Sequence, residues 1–308
     1  MPEKLRIGLV GFGRMGQEHA RQIANSADML VEVIVEPGEG NLARARGFYE
    51  KSEVSVFADL MDGIQVGDID GWIVSSSTKS HVAIGRTLLE QGQRVLLEKP
   101  IADSLESALG LRDLVQPDSA NLMMGHIVLW SPEFQDLRSK VETHGEIQVI
   151  NALRQRSQSH RIDYPGESLF SLLMVHDLYC IQSLTRCREP IEIVGQTRTH
   201  SLGGDDWAKA HLTWADGTEA IAESNYFLPD MPAGLIDDEI SVRGENWSES
   251  VGFQGDFDQA LRNELAHFAA LLRGEVEVIV GARYEDALQI QGWVDFLISS
   301  AAANSKGE

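Results

Sequence analysis

Residues 4–16 read KLRIGLVGFGRMG, an apolar run that passes directly into three glycines with the spacing GxGxxG. A helical pattern follows, and an acidic residue, Glu36, lies twenty residues after Gly16. Strand, turn, helix, second strand and terminal carboxylate are the layout of a dinucleotide-binding βαβ unit. The sequence therefore predicts that the chain binds NAD or NADP, which limits the expected chemistry to hydride transfer.

Each glycine has a separate task in such a turn. The first makes the tight turn, the second lets pyrophosphate approach the backbone, and the third lets the helix pack close to the strand. Unpaired N–H groups at the helix start then face the phosphates. The predicted phosphate-binding turn consists of Gly11, Phe12, Gly13, Arg14, Met15 and Gly16.

The residue at the end of the second predicted strand bears on the choice between NAD and NADP. The Glu36 carboxylate can accept hydrogen bonds from both ribose hydroxyls, and it would repel a 2′-phosphate. No Lys or Arg lies between Glu36 and Arg44 to attract that phosphate. We therefore expect NAD rather than NADP. The alternative is a structural glycine-rich turn followed by a surface glutamate.

Composition excludes several classes of partner. The chain has 308 residues, and 26 basic against 47 acidic residues give a net charge of −21. Such a surface repels nucleic acid and anionic membranes, although the preferred interpretation of the charge is simply solubility. The histidines form no HExxH pair and there is no CxxC, so no metal site is expected. Cys180 and Cys187, seven residues apart, are predicted to be reduced core residues on one helix face. With no apparent signal peptide or membrane span, we expect a cytoplasmic protein.

The first part of the chain alternates strand and helix patterns, which predicts a doubly wound parallel sheet. This part is expected to form a Rossmann dinucleotide-binding domain over residues 1–122. Its predicted strands are 5–10, 30–36, 70–75, 94–98 and 122–125, and its predicted helices are 15–24, 42–50, 80–91 and 104–115.

The pattern then changes to strands with short links, several of which alternate apolar and polar residues. This predicts an α+β domain over residues 123–308 with a large, mainly antiparallel open sheet. We expect the C-terminal helix to pack back on the first domain. The predicted strands are 146–155, 191–199, 208–215, 218–227 and 239–243, and the predicted helices are 168–184, 256–272 and 284–302.

Two residues are candidates for catalysis. Lys99 lies at the carboxyl end of a predicted strand, where open parallel sheets bind ligands, and Pro100 keeps it extended. A lysine there could stabilise an alkoxide, although an ordinary surface lysine is an equal alternative. His176 lies in an apolar helix, where a histidine is more often a core residue than an acid or base. Asp177 is its neighbour but does not face it.

The whole chain resembles the Gfo/Idh/MocA oxidoreductases, the family of glucose–fructose oxidoreductase and inositol dehydrogenase. This resemblance implies a Rossmann domain joined to a domain with a large open sheet, which commonly pairs into homodimers or homotetramers. It also implies NAD(P)-dependent chemistry on sugars, polyols and related molecules. The motifs that carry it are GFGRMGQEHA at 11–20, DGWIVSSSTKSHVAIGRTLLEQGQRVLLEKPIA at 70–102, MGHIVLWSPEF at 124–134, HD at 176–177 and EDALQIQGWVDFL at 285–297.

The resemblance also implies roles for particular residues. Lys99 matches the lysine of the family's EKP element, which contacts substrate and cofactor, and His176 matches its acid/base residue. The loop that borders the cofactor is matched by Ser75, Ser76, Ser77 and His81, and Glu98 completes the cofactor-binding set.

One departure concerns the surroundings of His176. Many members carry an aspartate four residues before the histidine, where this chain has Leu172, and often another three residues after it, where this chain has Tyr179. Lys99 and His176 could suffice alone, a carboxylate such as Asp163 or Glu167 could substitute, or activity could have been lost.

Substrate contacts are expected from the polar loop SQSHRIDYPGE at 157–167, which precedes the His176 helix; an exposed linker is the alternative. Trp130 and His126 have packing roles as their alternatives. The candidate substrate residues are His126, Trp130, Arg156, Arg161, Asp163 and Tyr164.

Together these observations predict an NAD(P)-dependent oxidoreductase. It would transfer a hydride between nicotinamide and a secondary alcohol or ketone of a polyhydroxylated small molecule. The alternative is a non-catalytic dinucleotide-binding sensor or regulator of the same fold.

Overall fold

The computed structural model describes residues 3–163, 166–200, 204–230, 237–253 and 257–304. The chain divides into two compact units. The first comprises Met1–Ile127 with Asp258–Leu288, and the second comprises Val128–Phe257 with Gln289–Glu308.

The first unit begins with alternating strands and helices, as the sequence predicts. In chain order they are β1 (Leu5–Val10), α1 (Arg14–Ala24), β2 (Met29–Val35), α2 (Glu39–Phe48), β3 (Ser55–Phe57), α3 (Leu60–Ile64), β4 (Gly71–Val74), α4 (Thr78–Glu90), β5 (Val95–Glu98), α5 (Leu105–Ala108) and β6 (Leu122–Gly125).

The six strands of the first unit form one parallel sheet in the order β3-β2-β1-β4-β5-β6. Its central strands are apolar because helices cover both faces; Leu9, Ile73 and Leu96 are all 0% exposed. The strand order reverses between β1 and β4, and ligands of such sheets bind beyond the carboxyl ends at this point. The predicted doubly wound fold is confirmed.

The remaining elements follow in chain order. They are α6 (Pro132–Thr143), β7 (Val149–Ser157), α7 (Gln158–Asp163), α8 (Val175–Leu184), β8 (Glu192–Arg198), β9 (Trp207–Thr213), β10 (Glu219–Leu228), β11 (Asp237–Arg243), β12 (Ser248–Phe253), α9 (Phe257–Leu272) and α10 (Tyr284–Asn304). Almost all of α9 belongs to the first unit.

The second unit contains a six-stranded sheet in the order β12-β11-β7-β10-β9-β8. Only the pair β7–β10 is parallel among the described strand pairs, so the mainly antiparallel sheet is confirmed. Small side chains such as Ala210 and Ala222 are fully buried on its covered face. A Cβ atom at Gly195 would lie 2.3 Å from the Leu297 carbonyl oxygen, so α10 passes directly over β8.

Some predicted boundaries are wrong. The helix predicted over 104–115 is α-helical only to Ala108 and continues as a 3-10 helix, Leu109–Leu114. Cys187 does not share a helix face with Cys180, because α8 ends at Leu184 and Cys187 has a positive φ of 56° in the following turn. Neither cysteine is in a disulfide bond; Cys180 is buried, as predicted, whereas Cys187 is only half-buried.

No helix within the described part of the chain is long and apolar enough to cross a membrane.

Candidate functional site

The glycine-rich turn after β1 has the geometry that phosphate binding requires. Gly11 has a φ of +92°, and a Cβ atom there would lie 2.7 Å from the Ser76 nitrogen. A Cβ atom at Gly13 would meet nothing within 4 Å, whereas one at Gly16 would lie 2.1 Å from the Gly11 carbonyl oxygen. The first and third glycines thus close the turn, and the second leaves open space beside the backbone.

The N-terminus of α1 has the features of an anion-binding site. Its N-cap residue is Gly13, which supplies no side-chain hydrogen bond, and the first turn contains no acidic residue. The backbone N–H groups and the positive end of the helix dipole therefore lie beside the open space at Gly13. Arg14 is exposed there, and Met15 is half-buried.

Glu36 is held rigidly just after β2. Its Oε2 accepts a hydrogen bond from the Phe12 backbone N–H at 2.7 Å, and its Oε1 accepts one from the Gly38 N–H at 2.7 Å. The side chain is 7% exposed. The acidic residue and the glycine-rich turn are therefore joined directly, and each carboxylate oxygen keeps a second lone pair for another donor.

The loop after β4 lies against the same turn. The Ser75 hydroxyl lies 3.2 Å from the Gly11 carbonyl oxygen, to which it donates. The Ser76 hydroxyl accepts a hydrogen bond from Ser80, and Ser77 is the exposed N-cap residue of α4. The structure thus brings the predicted serine loop and the predicted glycine turn together.

His81 connects the serine loop to the segment that follows β5. Its Nδ1 lies 2.8 Å from the Pro100 carbonyl oxygen, and its Nε2 lies 3.0 Å from the Ser76 carbonyl oxygen. Burial lowers the pKa of His81, although the two carbonyl groups act in the opposite direction. The ring is 1% exposed, and these two contacts hold the two loops together.

Lys99 is half-buried at the carboxyl end of β5. Its backbone N–H lies 3.2 Å from the Gly125 carbonyl oxygen and 3.3 Å from Glu98 Oε2. Glu98 Oε1 in turn contacts His19 Nε2 of α1 at 2.8 Å. The main chain of Lys99 is therefore fixed by the neighbouring strand and by the side chain of the residue before it.

His176 lies in the first turn of α8 and is half-buried. A π-helical turn, Phe170–Met174, precedes it, and such turns are frequent at functional sites. Because a π-helix has more residues per turn, either Ser171 or Leu172 lies one turn before His176. Neither residue is acidic. His176 therefore has no carboxylate one turn before it, whether the turn is counted as π-helical or as α-helical. Tyr179 is buried.

The carboxylate next to His176 belongs to a buried ion-pair network. Asp177 accepts from Arg154 Nε at 3.0 Å and from its Nη2 at 2.9 Å. Arg154 also donates to Asp238 at 2.6 Å, and Arg156 donates to the other oxygen of Asp238 at 2.6 Å. Two guanidinium groups and two carboxylates thus join α8 to β7 and β11.

The charges of this network depend on one another. Burial alone would lower the pKa of Arg154, but Asp177 and Asp238 outweigh burial and raise it. Burial also raises the pKa of Asp177, and the Arg154 guanidinium opposes that change. We therefore assign an ionised bidentate pair, which fixes α8 beside His176.

The predicted substrate residues differ in their surroundings. Arg156 is bound to Asp238, whereas the charge of Arg161 acts on Tyr226, whose pKa burial raises to about 12. His126 and Trp130 are 0% and 4% exposed. The Asp163 side chain and Tyr164 lie outside the described residues.

Sequence reasoning missed Arg154, Asp238 and Tyr226. The alternation of β7 and β11 would have placed Arg154 and Asp238 on the covered face, opposite each other in the register. A buried arginine requires a carboxylate partner, so this was a detectable signal. Tyr226 carries no comparable signal.

Comparisons with known proteins agree with this geometry. The model of an oxidoreductase family with an NAD-binding Rossmann fold, Gfo/Idh/MocA, matches residues 5–126. The matched segment, residues 5–126, is therefore similar to the Gfo/Idh/MocA oxidoreductases. The resemblance noted in the sequence is thereby confirmed, and with it an NAD-binding Rossmann fold in the matched segment.

Two curated relatives and one solved structure illustrate the family. Inositol 2-dehydrogenase of Corynebacterium glutamicum strain R is 29% identical over 207 residues, and the match spans 66% of this chain but only 60% of that protein. The scyllo-inositol 2-dehydrogenase (NAD(+)) of Bacillus subtilis is 24% identical and covers 99% of this chain and 95% of that protein. A myo-inositol dehydrogenase structure from Corynebacterium glutamicum ATCC 13032 has a TM-score of 0.85 at 20% identity, with 98% of each chain covered, which shows the shared fold.

Proposed function

We propose that this protein is an NAD-dependent dehydrogenase that oxidises a secondary alcohol of a sugar, polyol or related small molecule, or reduces the corresponding ketone. The observation that carries the proposal is the set of Gly11, Gly13, Gly16 and Glu36, whose geometry fits a dinucleotide. The relatives named as inositol dehydrogenases support the substrate class.

NAD is preferred to NADP in this proposal because of the fixed carboxylate. Glu36 can accept from ribose hydroxyls, whereas a 2′-phosphate would meet a negative charge that cannot swing away from Phe12 and Gly38. The nearest following cation, Arg44, is engaged with Asn41 at 2.8 Å. The bacterial relative whose name includes NAD(+) supports the same choice.

In this mechanism the side chains of the protein would transfer the hydroxyl proton of the substrate and stabilise the charge on its oxygen. Bound NAD supplies the hydride acceptor. As the carbon–hydrogen bond is lost as hydride, His176 takes the hydroxyl proton as general base, and the Lys99 ammonium donates a hydrogen bond to the developing oxyanion. The alcohol becomes a ketone, and the proton passes from His176 to solvent. In the reductive direction His176 returns the proton as general acid.

The absence of a helical carboxylate need not prevent this chemistry. An imidazole acts as a base in its neutral form, and a neighbouring carboxylate mainly orients it and stabilises its charged form. Here α8 is already anchored through Asp177 to Arg154. The fixed helix supplies part of the orientation that a carboxylate would give.

A titration with both cofactors tests the proposal. Purified protein is titrated with NAD and with NADP while tryptophan fluorescence is followed, and the titrations are repeated for Glu36→Gln. We expect tighter NAD binding in the native protein and a reduced preference in the variant. Exposed Glu39, at the start of α2, provides the matched control Glu39→Gln, which should leave the preference unchanged. Tighter binding of NADP by the native protein would contradict the assignment of Glu36.

We also propose that a second copy of the chain covers the outer face of the second-unit sheet. On β9 this face carries Lys209, His211 and Thr213, which are only half-buried, whereas the alternating alanines are covered. Sedimentation analysis is expected to give a dimer or tetramer. A monomer at micromolar concentration would refute this part of the proposal.

A further inference from the structure

A buried cluster of His19, Glu98 and Glu264 lies in the first unit. One ring nitrogen of His19 and one carboxylate oxygen from each glutamate all lie within 4.8 Å of one another. His19 and Glu264 are 0% exposed and Glu98 is 7% exposed. The three residues come from α1, β5 and α9, so the cluster ties three elements of the unit together at the strand end that precedes Lys99.

The hydrogen bonds of the cluster are unequal. Glu98 accepts from His19 through Oε1 and from the Lys99 backbone through Oε2. By contrast, neither carboxyl oxygen of Glu264 has a hydrogen bond of good geometry from a side chain, and the His126 backbone N–H is the donor that faces it. Burying an ionised carboxylate with so few hydrogen bonds is unfavourable in free energy. A second carboxylate beside it makes the ionised form still less favourable.

We propose that Glu264 is held as a neutral carboxylic acid, and that Glu264 and His19 together fix the Glu98 carboxylate against the backbone of Lys99. In this arrangement His19 Nε2 carries a hydrogen and donates to Glu98. The neutral Glu264 acid lies within 4.8 Å of the same carboxylate and adds no second negative charge beside it. Glu264 and His19 are then positioning residues for Lys99.

The remaining charged surroundings agree with this assignment. Burial, followed by the negative charge of Glu98, raises the pKa of Glu264 well above its usual range, and only the His126 amide acts in the opposite direction. The groups that face Glu264 are thus His19 of α1, Glu98 of β5 and the His126 backbone after β6. A metal ion is the other way to neutralise two buried carboxylates. The direct 2.8 Å contact between His19 Nε2 and Glu98 favours a proton instead.

The protonation of Glu264 has a consequence for stability. Because its pKa is higher in the folded protein than in the unfolded chain, the folded protein binds more protons between the two values. The stabilisation from this group is therefore present at low pH and is lost as pH rises toward the folded-state pKa. Glu264→Gln, which has the shape of the neutral acid, removes this dependence.

The test combines two measurements that need no substrate. Urea unfolding of the native protein and of Glu264→Gln is compared from pH 5 to pH 8, with the exposed Glu275→Gln as control. Infrared difference spectra at neutral pH are recorded for the same proteins. We expect the native protein to lose stability relative to Glu264→Gln as pH rises. We also expect the carboxylic-acid carbonyl band to be absent from that variant only.

If Glu264→Gln does not fold, isotope labelling of glutamate in the native protein identifies the carbonyl band directly. Parallel pH profiles together with no carboxylic-acid band would overturn the proposal. So would bound zinc or manganese in the purified protein that is lost in Glu264→Gln, or a fall in thermal stability on adding a chelator.

The proposal that Glu264 positions Lys99 rests on the proposed function. It is tested separately, by measuring kcat. Glu264→Gln should keep native turnover, whereas Glu264→Leu should lower kcat on the order of tenfold to 100-fold with unchanged NAD affinity. Equal turnover of the Gln and Leu variants would overturn the positioning role. Because the infrared and unfolding measurements need no turnover, they still decide the protonation state if no substrate is found.

Discussion

The glycine-rich turn of the first unit and the His176 helix of the second unit are held in place by different kinds of interaction. The turn is fixed by main-chain contacts, such as the close approach of Gly16 to the Gly11 carbonyl oxygen. The helix is fixed by side chains, chiefly the bidentate pair of Asp177 and Arg154. A site built from backbone tolerates few residue types and leaves a recognisable motif, whereas a site built from side chains can be assembled in several ways.

The largest expected effect separates catalysis from cofactor binding. Lys99→Ala and His176→Ala should each lower turnover by about 100- to 10,000-fold, because in the proposed mechanism each removes a group that handles charge or the proton in the transition state. Both should leave NAD affinity nearly unchanged, as measured by fluorescence titration. The exposed Lys140→Ala on α6 is the control and should retain activity. Near-native turnover of either variant would remove that residue from the mechanism.

The next effect tests the side chains that hold the His176 helix. Asp177→Asn should cost about 3–5 kcal/mol in the free energy of unfolding, because it leaves the buried Arg154 charge without its full partner. Urea denaturation measures the loss. Asp136→Asn breaks an exposed pair with Lys140 and is expected to show no measurable loss. Equal stabilities of the two variants would mean that the buried network does not anchor α8.

A third prediction tests the main-chain site with a matched pair of glycines. Gly16→Ala should destabilise the protein by about 1–3 kcal/mol and abolish tight NAD binding, because its Cβ would meet rigid backbone. Gly13→Ala should leave the melting temperature unchanged but weaken NAD binding, because its methyl group occupies the open space. Gly40→Ala on α2, also unobstructed, should affect neither property adversely. Loss of stability in Gly13→Ala would show that the space is not open.

The smallest expected effect concerns the missing carboxylate. Leu172→Asp and Ser171→Asp place a carboxylate at the two possible positions one turn before His176. The variant that faces the imidazole should raise the pKa of His176 and move the acid limb of the kcat/KM profile to higher pH, by about one unit or less. The other variant serves as the control. No shift in either profile would show that this face of the helix does not border the imidazole.

Sequence reasoning succeeded where backbone geometry limits residue choice. The glycine spacing, the acidic residue at the end of β2 and the apolar strands were sufficient to predict the parallel sheet and the position of Glu36 beside the turn. Short elements such as β3 were missed because three residues carry no periodic signal. The π-helical turn before His176 was missed because its composition does not differ from that of an α-helix.

The side-chain networks were harder to predict because their members are far apart in sequence. Arg154, Asp177 and Asp238 meet only after β7, α8 and β11 have packed together. The same holds for the cluster of His19, Glu98 and Glu264. The sequence singles out Glu98 through its position before Lys99, but His19 and Glu264 resemble ordinary surface residues when read alone. The partners of a buried charged side chain are set by tertiary contacts, and local sequence patterns do not specify these contacts.

The most direct test of the central claim is a turnover assay. Native protein and Lys99→Ala are incubated with NAD and a panel of inositol isomers, other polyols and sugars, and formation of reduced nicotinamide is followed by absorbance. We expect reduced nicotinamide with at least one panel member for the native protein and almost none for Lys99→Ala. Tight NAD binding without turnover on any alcohol, or on the matching ketones with NADH, would contradict this expectation and favour a dinucleotide-binding sensor.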